Sequence, residues 1–322
     1  MAQALYVCCR DGSGERCIAR FNDWWDERQP LDLQQRRFTV PDGLGGSEPI
    51  EGWLLLPRER RPGQAMPLLV DVHGGPASYV LLDYVSRAYW QVLCSQGWAV
   101  LALNAVGSSS YGRAFTARLR GHWGEYDLPQ HLAAVKALQD EGLADERVAI
   151  AGKSYGGYLS AWAIGHSDVF RAAVVAAPVA NLEAHFGTSD SGYCSDPYAL
   201  CGEPYIDRET SRRLSPAQFI DRATTPTLFL QGKADERCPL GQSEELFVTL
   251  VRAGRTPTEM VLYPGGDHHF YEQGKPSHRI DAIERVVDWL TRWIDRSPEA
   301  AEAPRAGPAL HGRTDQGHDA RA

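Results

Sequence analysis

Val148-Ala-Ile-Ala-Gly-Lys-Ser-Tyr-Gly-Gly-Tyr158 decides how this chain is read. Its apolar opening reads as a buried strand, Leu159-Ser-Ala-Trp-Ala-Ile164 reads as a helix, and Gly152-Lys-Ser-Tyr-Gly156 joins them in a tight turn with Ser154 at the apex. The Gly-x-Ser-x-Gly spacing has a mechanical reason. The apical residue is held in a strained conformation, and flanking positions without a Cβ let strand and helix approach. The hydroxyl is lifted clear of the sheet. The N–H of Tyr155, at the start of the helix, points to where an acyl oxyanion would form, with the helix dipole behind it. A glycine-rich helix start that merely packs is the competing reading, and it must account for three glycines around one serine.

Outward from this turn, short apolar runs alternate with helical spacing. Leu68-Leu-Val-Asp-Val72 is a strand that runs into His73-Gly-Gly-Pro76, where two glycines let the main chain approach a ligand and make their amides candidates for anion binding. Trp98-Ala-Val-Leu-Ala-Leu103 ends at Asn104, and Arg171 to Ala177 is stopped by Pro178. Pro226 to Gln231 and Met260 to Tyr263 complete the strands. Helices are expected around Arg87 to Gln96, Leu128 to Leu138, Gln242 to Arg252 and Arg279 to Ile294. Alternation of this kind predicts an α/β fold, with a mostly parallel central sheet flanked by helices and right-handed crossovers. Phe38-Thr-Val40 and Ile50 to Leu56 read as an antiparallel pair at its edge. Asn181 to Thr225 shows no period and is expected to be an irregular excursion over the site.

Net charge of −8 over 322 residues argues against a nucleic-acid surface, and no apolar run approaches the length of a membrane span. The N-terminus lacks the basic start of a signal peptide, so a cytoplasmic location is the default expectation. Seven cysteines without repeating spacing fit reduced thiols better than a disulfide framework, although Cys194 and Cys201 are close enough in sequence to bridge. Residues 1–36 look like the remnant of a longer extension, 37–296 like one catalytic domain, and 297–322, rich in Ala, Pro, Gly and charge, like a disordered tail.

A serine needs a base, and the base an orienting acid. In the α/β-hydrolase order these follow at later strand ends as Asp and then His. Gly232-Lys-Ala-Asp-Glu-Arg237 places Asp235 after one strand, with Glu236 a weaker candidate one residue deeper in the turn. Pro264-Gly-Gly-Asp-His-His-Phe270 places a histidine after the next, and spacing alone does not choose between His268 and His269. His73 reads as a hydrogen-bonding neighbour of the site, and His122, His131, His166 and His185 as surface or packing residues. A metal at Asp267 and the histidine pair would need a second cluster of ligands, which the sequence does not offer, and no cofactor is called for.

These motifs taken together, with Gly107-Ser-Ser-Ser-Tyr-Gly-Arg113, Trp123-Gly124 and Asp127, resemble the catalytic domain of the prolyl oligopeptidase family, nearest its acylaminoacyl-peptidase branch, over roughly Phe38 to Ile294. The resemblance implies a serine peptidase acting on short peptides or acyl-peptides, with catalytic Ser154, Asp235 and His268. It selects His268 because that residue lies five after Tyr263 and two before Phe270. It implies an oxyanion hole from the amides of Gly75 and Tyr155, and a substrate-binding Arg237 whose bland alternative is a surface ion pair. An esterase on small acyl esters, or a domain with little activity without a partner, are the rival expectations. Departures are Val106-Gly107 where Arg-Gly is expected, Gln130 in place of a second acid, His269 in place of a glycine, and no propeller ahead of the domain. A face left open in that way is free to pair, so a homo-oligomer is allowed.

Overall fold

The computed structural model describes residues 4–21, 23, 31–61, 63–82 and 87–295. Trp24-Trp25 and the expected tail from 297 lie outside the described residues. Two strands, β1 (Ala4–Val7) and β2 (Arg16–Arg20), form an antiparallel ribbon of their own. Eight more make one sheet: β3 (Leu31–Pro41), β4 (Ser47–Pro57), β5 (Met66–Val72), β6 (Ala99–Leu103), β7 (Ala144–Lys153), β8 (Phe170–Ala176), β9 (Thr227–Gly232) and β10 (Thr258–Tyr263). Their order is β10-β9-β8-β7-β5-β6-β4-β3. From β6 to β10 every neighbour is parallel, whereas β3–β4 and β4–β6 are antiparallel. This is the α/β-hydrolase fold that the alternating pattern predicts.

The helices are α1 (Ala88–Ser95), α2 (Arg113–Arg118), α3 (Asp127–Asp140), α4 (Tyr155–His166), α5 (Leu182–Thr188), α6 (Gly192–Leu200), α7 (Arg208–Arg213), α8 (Leu240–Ala253) and α9 (Pro276–Ile294). They cover the sheet, which is why β6 and β9 are buried along their whole length and read as unbroken apolar runs rather than alternating ones. In α9, Pro276 opens the first turn, and Ala282, Val286, Val287, Trp289, Leu290, Trp293 and Ile294 form the buried stripe. Helix α8 stops at Gly254, whose φ of +67° is the left-handed conformation that ends helices.

Three features differ from the sequence reading. The stretch from Asn181 to Thr225 is not irregular but holds α5, α6 and α7. Their length hides any period, and two are announced only by caps, Asn181 Oδ1 accepting from the Ala184 N–H and Asp207 Oδ1 from the Thr210 N–H. Helix α2 was not foreseen. Strand β3 begins at Leu31, ahead of residue 37, because an edge strand carries polar residues such as Gln34 and Arg36 that mask its pattern. All seven cysteines are free thiols, so Cys194 and Cys201 form no bridge. No helix among the described residues is long and apolar enough to cross a membrane.

At the turn into α4 a Cβ on Gly156 would lie 2.1 Å from the Val72 carbonyl oxygen, backbone against backbone. Gly156→Ala is therefore expected to cost more than about 3 kcal/mol or to prevent folding. Gly187, within α5, has nothing within 4 Å of its Cβ position, and Gly187→Ala should leave stability unchanged or raise it by up to about 1 kcal/mol. Urea unfolding of the two variants compares them directly, and equal midpoints would contradict the packing argument.

Candidate active site

The parallel strands end on one edge of the sheet, and the residues singled out in sequence stand there. Ser154 follows β7 with φ 63° and ψ −121°, a strained conformation for a residue with a side chain. Its N–H donates to the Ala176 carbonyl (3.0 Å) and its own carbonyl accepts from Tyr158 (2.9 Å), so the apex is fixed from both sides. Asp235 follows β9. One carboxylate oxygen accepts from the N–H groups of Arg237 (2.9 Å) and Cys238 (2.8 Å), and the other faces His268 Nδ1 at 2.8 Å. Asp235 is thus held by main chain and in turn orients an imidazole whose Nε2 is left as the proton acceptor. Glu236 and His269 do not take part in this contact. Among the described residues no hydrogen bond joins Ser154 Oγ to His268; the hydroxyl lies beside the thiol of Cys238, whose ionisation burial pushes well up. Contacts of this kind commonly tighten only when substrate binds.

Gly75, Ser154, Tyr155, Arg237 and Cys238 line one cavity of about 450 Å³. Gly75 has φ +127°, and a Cβ there would meet the amides of Ala77 and Ser78 within 3 Å, so only glycine fits. The loop carrying it is anchored through His73, which donates from Nδ1 to the Gly74 carbonyl (2.7 Å) and accepts at Nε2 from Ser108 Oγ (2.9 Å). Burial holds His73 neutral, down to about 4, as that arrangement requires. Tyr155 is locked by its ring, stacked on Tyr158 and edge-on to Trp123, and by its phenol, which donates to Asp127 at 2.6 Å. Gln130, one of the departures noted above, accepts from the Val106 N–H (2.7 Å) and donates to the Pro41 carbonyl (2.8 Å). It pins the stretch before Gly107 without needing a charge.

Arg237 lines the cavity, and its guanidinium also grips Asp190 (2.6 and 3.2 Å). The ion pair considered from sequence is therefore formed at the cavity wall. Two residues were given no role in the sequence reading. His185, taken there for a surface or packing residue, lies on the cavity wall between Asp196 (2.7 Å) and the Arg237 carbonyl (3.0 Å). Lys153, next to the serine, reaches across the sheet edge, donates to the carbonyl of His268 at 2.9 Å, pairs with Glu272 and lies over the Tyr271 ring. Its position inside the motif was the one available signal. Among the described residues no cluster of His, Cys, Asp or Glu is arranged to hold a metal.

Lys153 therefore braces the histidine loop against the serine turn. Lys153→Met should lower kcat roughly 10- to 100-fold with little change in KM, since small misplacements of reacting groups cost that much. Lys153→Arg should recover part of it. Turnover per fluorophosphonate-titrated site is the measurement, and an unaltered value in Lys153→Met would remove the brace from the mechanism.

Behind the oxyanion loop lie three buried ionisable groups: His73, His131, which burial drives to about 3, and Asp127, which burial raises to about 6. The two histidines stabilise the fold above the unfolded value near 6.5, a contribution lost as pH falls. Asp127 acts oppositely, its contribution being present below about 4 and lost as pH rises through about 6. Between pH 4 and 6 the net uptake on unfolding is about one proton, or about 1.4 kcal/mol of stability lost per unit of acidification from these groups. His131→Leu should flatten that slope in urea titrations at pH 6 and pH 4.5, and an unchanged slope would refute the assignment.

A model of the prolyl oligopeptidase family matches residues 84–297. The acylamino-acid-releasing enzyme of Rattus norvegicus is 31% identical over 249 residues, which are 75% of this chain and 33% of that protein. The uncharacterised peptidase YuxL of Bacillus subtilis is 29% identical over 286 residues, 88% of this chain and 42% of that one. The acylaminoacyl peptidase of Pyrococcus horikoshii superposes with a TM-score of 0.83 at 27% identity, covering 91% of this chain and 46% of that structure. A puromycin-hydrolyzing peptidase of Mycobacterium tuberculosis gives 0.76 at 28% identity, covering 88% and 42%. The chain thus spans less than half the length of these relatives. Motifs, fold and likenesses agree: the chain belongs to the prolyl oligopeptidase family of serine peptidases.

Proposed function

We propose that this chain is the hydrolytic unit of a peptidase acting on short or N-acylated peptides by acyl transfer to water. Ser154 attacks the scissile carbonyl while His268 Nε2 takes its proton. Asp235 holds the imidazole with the proton on Nδ1, and the amides of Gly75 and Tyr155 receive the oxyanion. His268 then returns the proton to the leaving amine, and water enters by the same steps to release the acid. The observation that carries this reading is the short Asp235–His268 hydrogen bond at the strand end, beside a strained serine that opens on a cavity large enough for peptide side chains. Arg237, already oriented by Asp190, is placed to offer a remaining N–H to a substrate carbonyl.

Acyl chemistry at such a site is worth about 10²- to 10³-fold in kcat for each oxyanion donor. A fluorophosphonate probe should label the wild-type protein and fail to label Ser154→Ala. An acyl-amino-acid anilide should turn over as well as a short-chain nitrophenyl ester. Ester turnover alone would make the chain an esterase, and soluble wild-type protein that takes no label would set the enzymatic reading aside.

A further inference from the structure

The cavity against Ser154 carries one charge that this mechanism leaves unused. Asp196 on its wall is hydrogen-bonded through both oxygens, to His185 and to Ser195. Arg237 has Asp190. The cations around the cavity rim are paired too, Arg118 with Glu48 and Arg213 with Glu125. Arg120 differs. It is half-buried on the same cavity wall, its Nε donates to the Tyr198 carbonyl at 2.7 Å, and its guanidinium carbon lies 4.0 Å from the centre of the Tyr198 ring. Among the described residues it forms no ion pair within 4 Å, in a chain with 41 acidic side chains and a net charge of −8. Ring and carbonyl fix the plane of the guanidinium and occupy one N–H, leaving the two terminal nitrogens as a fork. A fork of this kind on a concave, partly desolvated wall matches a carboxylate in two parallel hydrogen bonds.

We propose that Arg120 is the receptor for a carboxylate of the substrate, either an acidic side chain or the free C-terminal carboxylate of a short peptide. The proposal rests on the peptidase reading above and adds the substrate class to it. Arg120 would act by binding, so its effect belongs to the preference between substrates rather than to the chemical step.

Two matched pairs of peptides test it. One pair is C-terminally amidated and differs only in Glu against Gln; the other is neutral in its side chains and differs only in a free against an amidated C-terminus. The wild-type enzyme should favour the carboxylate-bearing member of one pair by roughly 10-fold or more in kcat/KM, and the pair in which this happens identifies the source. Arg120→Gln should abolish the preference and Arg120→Glu reverse it, with melting temperatures showing that both variants are folded. An active enzyme indifferent to both pairs, or a preference that survives Arg120→Gln, would overturn the proposal. Binding to Ser154→Ala separates this from failure of the peptidase reading, because acetyl-glutamate amide against acetyl-glutamine amide, and acetyl-alanine against its amide, need no turnover. Carboxylate-selective binding that vanishes in Ser154→Ala/Arg120→Gln, by a protein that hydrolyses no peptide, would keep the receptor and discard the peptidase.

Discussion

Main chain pressed against main chain between Gly152 and Gly157 is the constraint on which the site depends. A Cβ on Gly152 would fall 2.4 Å from the Gly156 carbonyl, and one on Gly157 would fall 2.5 Å from that of Ala176. With strand and helix this close, the connecting residue has no room for ordinary geometry, and Ser154 takes φ 63° at a cost of order 1–3 kcal/mol. The burial of α4, whose residues from Tyr155 to Ile164 are all in the interior, offsets that cost. Three consequences come from one compression. The serine side chain faces the cavity, the Tyr155 N–H stands free at a helix start, and Lys153 is thrown outward to reach the histidine loop.

Sheet order makes the last of these consequential. β7 and β10 are separated by β8 and β9, so the serine and the histidine leave the sheet some distance apart. Strand ends alone do not close such a gap; the loops have to lean inward and be held. The Ala234 N–H donates to the Gly266 carbonyl (2.8 Å), the Lys233 N–H donates to that of Tyr263 (3.0 Å), and Lys153 supplies the tie from the other side. Main-chain bonds fix the histidine loop to its neighbour, and one buried side chain fixes it to the nucleophile.

The sheet and the strand-end residues were legible because their signals are local. Apolar runs mark β5 to β9, a glycine pair marks the turn at Gly75, and chain order ranks Asp235 after Ser154 and before the histidine. His268 over His269 was not legible from spacing and came only with the likeness to a family. What stayed hidden depends on contacts between distant segments. His185 looked like a packing residue because its partners, Asp196 and the Arg237 carbonyl, lie in a helix too short to show a period and in a turn 52 residues away. The role of Gln130 likewise rests on Val106 and Pro41, neither of which its neighbours in sequence suggest. Lys153 sat inside the most informative motif and still carried no sign of its target, since a lysine beside a serine says nothing of where its ammonium ends.

The hidden contacts are also the ones that join substrate recognition to catalysis. The wall formed by α5 and α6 does not simply lie over the site; it is bonded to the turn that holds the catalytic acid. The Arg237 carbonyl accepts from both Ser189 Oγ (2.7 Å) and the His185 ring (3.0 Å), the Asp190 N–H donates to the Glu236 carbonyl (2.8 Å), and Asp190 holds the Arg237 guanidinium. Residues 236 and 237 are thereby clamped immediately after Asp235, whose own carboxylate is positioned by the Arg237 and Cys238 amides. A displacement of that wall would be passed to Asp235 through backbone rather than through solvent, and from there to the orientation of His268. Loss of a cavity contact at α5 or α6 is therefore a different event from loss of one at the Leu119 to Trp123 segment, which carries Arg120 and has no such bond to the acid turn. The first alters binding and the chemical step together, and the second is free to alter binding alone.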